Sequence, residues 1–358
     1  MIKLGFVLPG SLEAPTGGTR YDREILERLP SFGIKPTALL LSAHYPEPEL
    51  EDRISSARLI AQPDCDLFLI DGLAFGAFTE IEINAMTKPY MVLLHHPLAD
   101  EIGLDEQKAA AFYHQEKANL RHAAAVIVTS QSTKERLHTV YDLSNEIITV
   151  AEPAVSKKDG LRAKSALTPD RTARLLSVGA ISPRKNYALI INALAHLNSN
   201  QDWIWQIAGR LDDKQESTLL RELGQKLGLA HQIEWLGAVT EEQLTSLYQN
   251  SDFLLSPSYY EGYGMALDEA LAHGLPVLAS DKIPSACKPY QEAVKQLNPN
   301  RSEDWSEAIK LWLNESLEYQ KACKAAYQVA NSLPDWDQPA GLIAKSIRQY
   351  LATGKGSL

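Results

Sequence analysis

The stretch Phe253-Leu254-Leu255-Ser256-Pro257-Ser258-Tyr259-Tyr260-Glu261-Gly262-Tyr263-Gly264-Met265-Ala266-Leu267-Asp268-Glu269-Ala270-Leu271-Ala272-His273-Gly274 decides the fold. It opens as a short apolar strand, passes through a loop with two glycines, and closes as a helix whose stop signal is His273-Gly274. Small residues stand where bare backbone must approach a ligand, and a helix N-terminus presents N–H groups and partial positive charge that attract phosphate. Glu261 and Glu269 flank this turn with seven residues between them, placed to hold sugar hydroxyls. Either glutamate alone would ordinarily be a solvated surface charge. The spacing, the glycines and the strand-loop-helix context together point to a nucleotide sugar.

A second stretch lies upstream. Arg174 to Val178 reads as a strand ending at Gly179, and Ala180-Ile181-Ser182-Pro183-Arg184-Lys185-Asn186 leads into a helix with apolar Leu189, Ile190, Ala193, Leu194 and Leu197. Asn186 has the residue type of an N-cap. Arg184 and Lys185 are adjacent cations at the mouth of a parallel strand, suited to meeting a diphosphate.

Taken in order, Gly179-x-x-x-Pro183-Arg184-Lys185-Asn186, Gln206-Ile207-Ala208-Gly209, and Ser256-Pro257-Ser258 through Glu261-x7-Glu269 to Gly274-Leu275-Pro276-Val277 resemble the donor domain of GT-B fold, family 4 retaining glycosyltransferases. The likeness is strong over residues 170 to 280. It implies an enzyme that moves a hexose-type sugar from a nucleoside-diphosphate sugar to a saccharide or small-molecule acceptor. It also implies donor contacts from Gly262, Tyr263, Gly264, Met265 and Ala266, sugar hydroxyls on Glu261, ribose on Glu269, and no metal or other cofactor. Two departures stand out: Ala180 occupies a position where many members have arginine, and Asp281-Lys282-Ile283-Pro284-Ser285-Ala286 replaces a glycine-rich turn near the donor.

The wider chain is consistent with two tandem Rossmann-like doubly wound α/β domains. Expected strands are Lys3 to Leu8, Thr37 to Leu41, Leu67 to Asp71, Tyr90 to His95, Ala125 to Thr129 and Glu146 to Val150, with helices such as Tyr21 to Leu29 and Asp105 to His122 between them. Ser132-x-x-Glu135 has the form of a capping box. Short apolar strands separated by helices imply parallel sheets covered on both faces. From Glu152 to Arg171 the periodicity lapses, with Pro153, Lys157-Lys158, Gly160 and Pro169, and this is the expected linker. The alternation then restarts: Arg174 to Val178, helix Tyr187 to Asn198, Trp203 to Ala208, helix Asp213 to Leu227, Gln232 to Leu236, helix Thr240 to Asn250, Phe253 to Ser256, helix Gly264 to His273, and Val277 to Ala279. The remainder reads as helical. The expected division is an acceptor-side domain over residues 1–164, a nucleotide-sugar domain over 165–335, and a C-terminal helix over 336–358 that in the resembled family returns to the first domain. Ligands in such folds bind at the carboxyl ends of the strands, which places the expected site in the cleft between domains.

In the first half, Pro15-Thr16-Gly17-Gly18 follows strand one and precedes the expected helix start near Tyr21. Gly17 and Gly18 could cradle phosphate or admit the acceptor, although a Gly-Gly turn is more commonly only a turn. His95-His96-Pro97 ends an apolar strand. The resembled family has a histidine there, near the donor sugar; His96 is slightly preferred to His95, the other being read as structural. Asp64-Cys65-Asp66 superficially offers a metal-binding pair, but it precedes a strand rather than following one, as turn carboxylates do.

Composition bounds the partners. The 358 residues are 45% hydrophobic and 22% charged, as in soluble globular proteins, and no apolar run reaches the roughly 18–20 residues that cross a bilayer. The net charge of −10 argues against nucleic acid. Residues 1–164 hold 17 Lys and Arg against 23 Asp and Glu, with no basic run for a lipid surface, so membrane association is expected to be weak or absent. Three cysteines, Cys65, Cys287 and Cys323, lack metal-ligand spacing and fit reduced thiols in a cytoplasmic protein. Two alternatives remain open: a non-catalytic GT-B binding or assembly subunit, and a GT-B sugar-nucleotide epimerase.

Overall fold

The computed structural model describes residues 1–353 apart from positions 15, 102–103, 157–160, 162–163, 165–166, 169, 198–201, 212 and 315. Of the sequence features named above, Pro15, Lys157-Lys158, Gly160, Pro169 and Asn198 lie outside the described residues. The chain forms two compact units, residues 1–154 with 336–358, and residues 155–335. The division falls at Ala154/Val155 rather than at 164/165. Val155 is already part of the second unit's core, and Lys164 Nζ donates to the carbonyls of Tyr248 and Gln249 in that unit.

The first unit is built on β1 (Ile2–Pro9), β2 (Ile34–Leu41), β3 (Leu67–Asp71), β4 (Tyr90–Leu94), β5 (Ala125–Val128) and β6 (Ile148–Val150). They pair in parallel in the order β2-β1-β3-β4-β5-β6. The strands β3, β4 and β5 are buried along their whole length, which explains why they read as continuous apolar runs. One face packs Val7, Phe68, Ile70, Val92, Leu94, Val126 and Val128 into a common core.

The second unit repeats the plan with β7 (Ala173–Val178), β8 (Trp203–Ala208), β9 (Ile233–Gly237), β10 (Phe253–Ser256), β11 (Val277–Ser280) and β12 (Val294–Leu297), in the order β12-β11-β10-β7-β8-β9. All neighbours are parallel. Successive residues feed opposite faces: Leu175, Phe253 and Leu255 join Trp205, Trp305, Trp312 and Tyr319 on one side. Leu176, Leu254 and Val277 join Leu267, Leu271 and Ala326 on the other. One buried hydroxyl stitches the central strands, Trp205 Nε1 donating to Ser177 Oγ at 3.0 Å and Ser177 Oγ donating to Leu255 O at 2.7 Å.

Four local expectations are corrected. The strand β12 interrupts a region read as helical, because Val-Lys-Gln-Leu is short and half polar at the sheet edge. The first helix spans Gly17–Arg28, so Gly17 and Gly18 lie in its first turn instead of before it; Thr16 supplies the cap, its side chain accepting from Thr19 N. The helix Gln131–Thr139 is capped by Ser130 Oγ, which accepts from Thr133 N, and not by Ser132 with Glu135. Asn186 occupies the N-cap position of helix Tyr187–Ala195 but gives that helix no side-chain cap.

The C-terminal helix, Asp337–Ala352, buries Ala340, Ile343, Ala344 and Ile347 and packs beside β5 and β6. Arg348 donates to Phe32 O, and Gly341 meets the Phe32 ring. Just before this helix, Trp336 makes an edge contact with Tyr21, whose hydroxyl donates to Ala151 O at 2.8 Å. The start of the chain, the end of β6 and the C-terminal helix are thereby joined in one unit. No helix among the described residues is long and apolar enough to cross a membrane.

Candidate active site

The two stretches singled out in the sequence meet at the carboxyl ends of β7 and β10. After β7 the chain must turn sharply against β8, and glycine makes this possible: a Cβ on Gly209 would lie 1.8 Å from Gly179 O. Gly179 has φ +148°, and a Cβ there would lie 2.5 Å from Lys185 Cε. The absence of side chains at these two positions lets the Lys185 stem fold back over the end of β7.

The turn Pro183–Lys185 is a short 3-10 segment followed by Asn186 in the left-handed conformation, φ 55° and ψ 39°. Its buried side-chain amide donates to Pro257 O at 3.2 Å and Pro299 O at 2.8 Å. That is where the expected cap has gone: Asn186 ties its turn to the loop after β10. Tyr259 N donates to Arg184 O at 2.9 Å, and Arg184 Nη1 donates to Tyr260 O at 2.9 Å, so the backbones of the two loops are laced together.

Glu261 stands at the centre of this arrangement. One oxygen accepts from Arg184 Nη1 at 2.7 Å, and the other accepts from Lys185 Nζ at 2.7 Å and from Ser258 Oγ at 2.7 Å. Burial alone would raise this carboxyl. The charges of Lys185 and Arg184, with hydrogen bonds from Lys185 and Ser258, outweigh burial and hold it down at about 2. The two cations and Glu261 thus form one ion-paired group, whereas the sequence suggested separate partners for phosphate and sugar. Two cations and a hydroxyl therefore converge on one carboxylate at the ends of β7 and β10.

Past Glu261, Gly264 adopts φ +100° and starts helix Met265–Ala272 without any side-chain cap. Glu269 lies one helical turn from the end of this helix, and Tyr248 O–H donates to its Oε2 at 2.9 Å. Tyr248 is itself stacked on His273, centroids 5.0 Å apart. Tyr263 is buried, and its hydroxyl donates to Asp268. Its side chain braces the loop from behind.

In the first unit the strand ends bring a different group together. His95 follows β4, Asp71 ends β3, and Asp22 lies in the first helix. His95 Nε2 lies 3.1 Å from Asp22 Oδ1 and 3.3 Å from Asp71 Oδ2. Gly18 is the close neighbour of this imidazole: a Cβ there would stand 3.2 Å from His95 Cδ2. Burial raises the Asp22 carboxyl, and the adjacent Asp71 charge pushes it the same way. For His95, burial opposes the charged form, but Asp22 and Asp71 outweigh it and raise the imidazole above its usual range. Gly18 therefore lies against His95, while His96 turns to Glu101, Nε2 to Oε2 2.8 Å.

Asp22 and Asp71 escaped the sequence reading. The available signal was Asp71 closing a wholly apolar strand at the level of His95. These three residues are the group among the described residues whose composition and spacing could hold a metal ion, with ligand atoms all within 4.8 Å of one another. The same contacts also make a self-consistent ion-paired triad. Asp64 and Asp66 do not converge: Asp64 pairs with Lys3 at 2.5 Å on the surface, and Asp66 accepts from Lys3 N at 2.8 Å, both as turn residues at the entry of β3.

The paired six-stranded parallel sheets define a GT-B fold. The chain superposes on sucrose-phosphate synthase from Thermosynechococcus elongatus with a TM-score of 0.82 at 18% identity, over 99% of this chain and 100% of that one. It superposes on Anabaena HepE in complex with UDP and glucose with a TM-score of 0.76 at 15% identity, over 98% of this chain and 100% of that one. Residues 161–329 match the family model of glycosyl transferases group 1.

Among curated proteins, the chain is 27% identical over 194 residues to the O-antigen chain mannosyltransferase RfbU of Salmonella typhimurium, covering 54% of this chain and 52% of that protein. It is 27% identical over 307 residues to the GDP-mannose:cellobiosyl-diphosphopolyprenol alpha-mannosyltransferase of Xanthomonas oryzae pv. oryzae, covering 84% of this chain and 76% of that protein. The match to the first curated relatives spans about half their length.

The Glu261 group gives a pH dependence of stability. A carboxyl whose folded value is depressed stabilises the fold above its unfolded value and loses that contribution as pH falls toward the folded value. From a usual 4.5 down to about 2, the contribution is on the order of 3 kcal/mol. Urea titrations of wild type and Glu261→Gln are expected to differ most at neutral pH and to converge as pH falls from 4.5 to about 2. An equal difference at every pH would contradict the ion-paired assignment.

Proposed function

We propose that the chain is a retaining glycosyltransferase that moves a hexose-type sugar from a nucleoside-diphosphate sugar to a saccharide or small-molecule acceptor. The observation that carries this reading is the Arg184–Glu261–Lys185 group, set beside the uncapped N-terminus of helix Met265–Ala272. Breaking a glycosyl phosphate bond builds negative charge on the departing diphosphate, and fixed cations with oriented N–H groups are what stabilise it. The group 1 family match covers these residues, and it supports the donor class. So do the UDP and glucose named with HepE and the sugar transfers named for the two mannosyltransferases.

In this reading Arg184 and Lys185 stabilise the diphosphate, with backbone N–H groups from the Gly262–Ala266 stretch. Glu261 holds the cations in place and reaches sugar hydroxyls, and Glu269, oriented by Tyr248, takes the ribose hydroxyls. The histidine near the donor sugar is His96, paired with Glu101, or His95, held by Asp22 and Asp71 beside Gly18. The departing phosphate serves as base for the acceptor hydroxyl, which keeps the configuration. The protein works in the cytoplasm with weak affinity for lipid. An ion-paired cation group of this kind has no evident purpose in a silent assembly subunit. An epimerase would turn over donor without any acceptor, and product analysis separates it from a transferase.

Replacing both Arg184 and Lys185 by alanine is expected to lower the transfer rate by about two orders of magnitude or more. Single-turnover measurement on folded protein with a radiolabelled nucleotide sugar checks this. Near-normal rates would leave the two cations with only the structural role of pairing Glu261.

Metal independence is the second expectation. Activity in excess chelator is expected to equal activity with added magnesium. Loss of activity in chelator, restored by manganese, would overturn it and assign Asp22, Asp71 and His95 as metal ligands.

A further inference from the structure

Asp268 is a charged residue in the apolar row of helix Met265–Ala272, between Leu267 and Ala270, and is only 2% exposed. A buried carboxylate persists only where it is hydrogen-bonded and paired. Here Tyr263 O–H donates to one oxygen, and Tyr290 O–H donates to the other at 2.7 Å. Lys288 Nζ lies 3.8 Å from Asp268 Oδ2 and donates to the Tyr263 hydroxyl at 2.5 Å. The same ammonium sits over the Tyr263 ring, 4.8 Å from its centroid. Two aromatic hydroxyls and one cation thus converge on a single carboxylate.

These side chains come from two stretches, residues 263–268 and residues 288–290. Backbone contacts fasten the same stretches at a second point. Ser285 N donates to Tyr263 O at 2.9 Å, and Ser285 Oγ donates to Gly264 O at 3.1 Å. Gly264 allows this approach, because a Cβ there would lie 2.3 Å from Ile283 Cγ2. The segment after β11 is therefore clamped over Tyr263 and Gly264. This is the segment in which Ile283-Pro284-Ser285 stands in place of a glycine-rich turn.

We infer that Asp268 is a positioning residue for the donor: by holding Tyr263 against Lys288 and Tyr290, it fixes the Gly262–Gly264 backbone and the first N–H groups of the following helix where a diphosphate binds. A glycine-flanked loop is conformationally permissive, and a rigid side chain between the two glycines removes that freedom. The inference rests on the donor reading of this loop given above.

The test uses the full chain with UDP and GDP as probes and the variants Asp268→Ala, Asp268→Asn and Tyr290→Phe. In Asp268→Ala, calorimetry is expected to show diphosphate affinity reduced about tenfold, with a smaller loss in Asp268→Asn and Tyr290→Phe, which keep the shape. Donor KM should rise while kcat stays within about threefold, a split that a general loss of folded protein would not produce. Without ligand, hydrogen exchange at the Ser285 amide should quicken about tenfold in Asp268→Ala, with Leu175 and Leu176 of β7 unchanged. If Asp268→Ala does not fold, the two conservative variants carry the same comparison. Unchanged affinity in variants whose Ser285 exchange has quickened would overturn the positioning role. Unchanged exchange would overturn the clamp itself. Failure of the wild-type protein to bind either diphosphate would overturn the donor reading, and the inference with it, whatever the exchange shows.

Discussion

The second unit is organised around one electrostatic constraint: the buried Glu261 carboxylate is held by Arg184 and Lys185, whose charges outweigh the cost of its burial. The sequence separates the partners by 76 and 77 residues, so the contact depends on the parallel sheet that sets β7 beside β10. Gly179, Gly209 and Asn186 serve the same end. The glycines let backbone and the Lys185 stem occupy space that side chains would fill, and Asn186 pins the turn to Pro257 and Pro299. Desolvation disfavours each charge singly, and their mutual attraction in a weakly polarisable setting offsets that cost.

The first unit applies the same logic with the opposite sign. Asp22 and Asp71 converge on His95; burial and the Asp71 charge raise the Asp22 carboxyl, and the two carboxylates together outweigh burial and raise the imidazole. Tyr21 closes this group from behind, its ring 5.3 Å from His95 and its hydroxyl on Ala151 O. Each unit thus presents a charged group at the carboxyl ends of its central strands, where open parallel sheets bind ligands.

Most of the architecture was legible because the strands are buried on both faces. Runs such as Leu67 to Asp71 and Phe253 to Ser256 need no tertiary information to be recognised. What the sequence hid had specific causes. β12 is a half-polar edge strand, and two glycines in the first turn of Gly17–Arg28 mask a helix start that Thr16 caps. The motif Glu261-x7-Glu269 was visible because it is local. The Asp22–His95 contact spans 73 residues and belongs to no motif. Asp268 lay inside the motif, but its partners Lys288 and Tyr290 come from the segment after β11, so its role could emerge only from packing.

A crystal structure of the full chain soaked with UDP or GDP tests most directly where a diphosphate binds. Diphosphate oxygens within about 3.2 Å of Arg184 or Lys185 nitrogens and of the N–H groups opening helix Met265–Ala272 are the expected result. A diphosphate bound elsewhere, with the Arg184–Glu261–Lys185 group undisturbed and untouched, would contradict it.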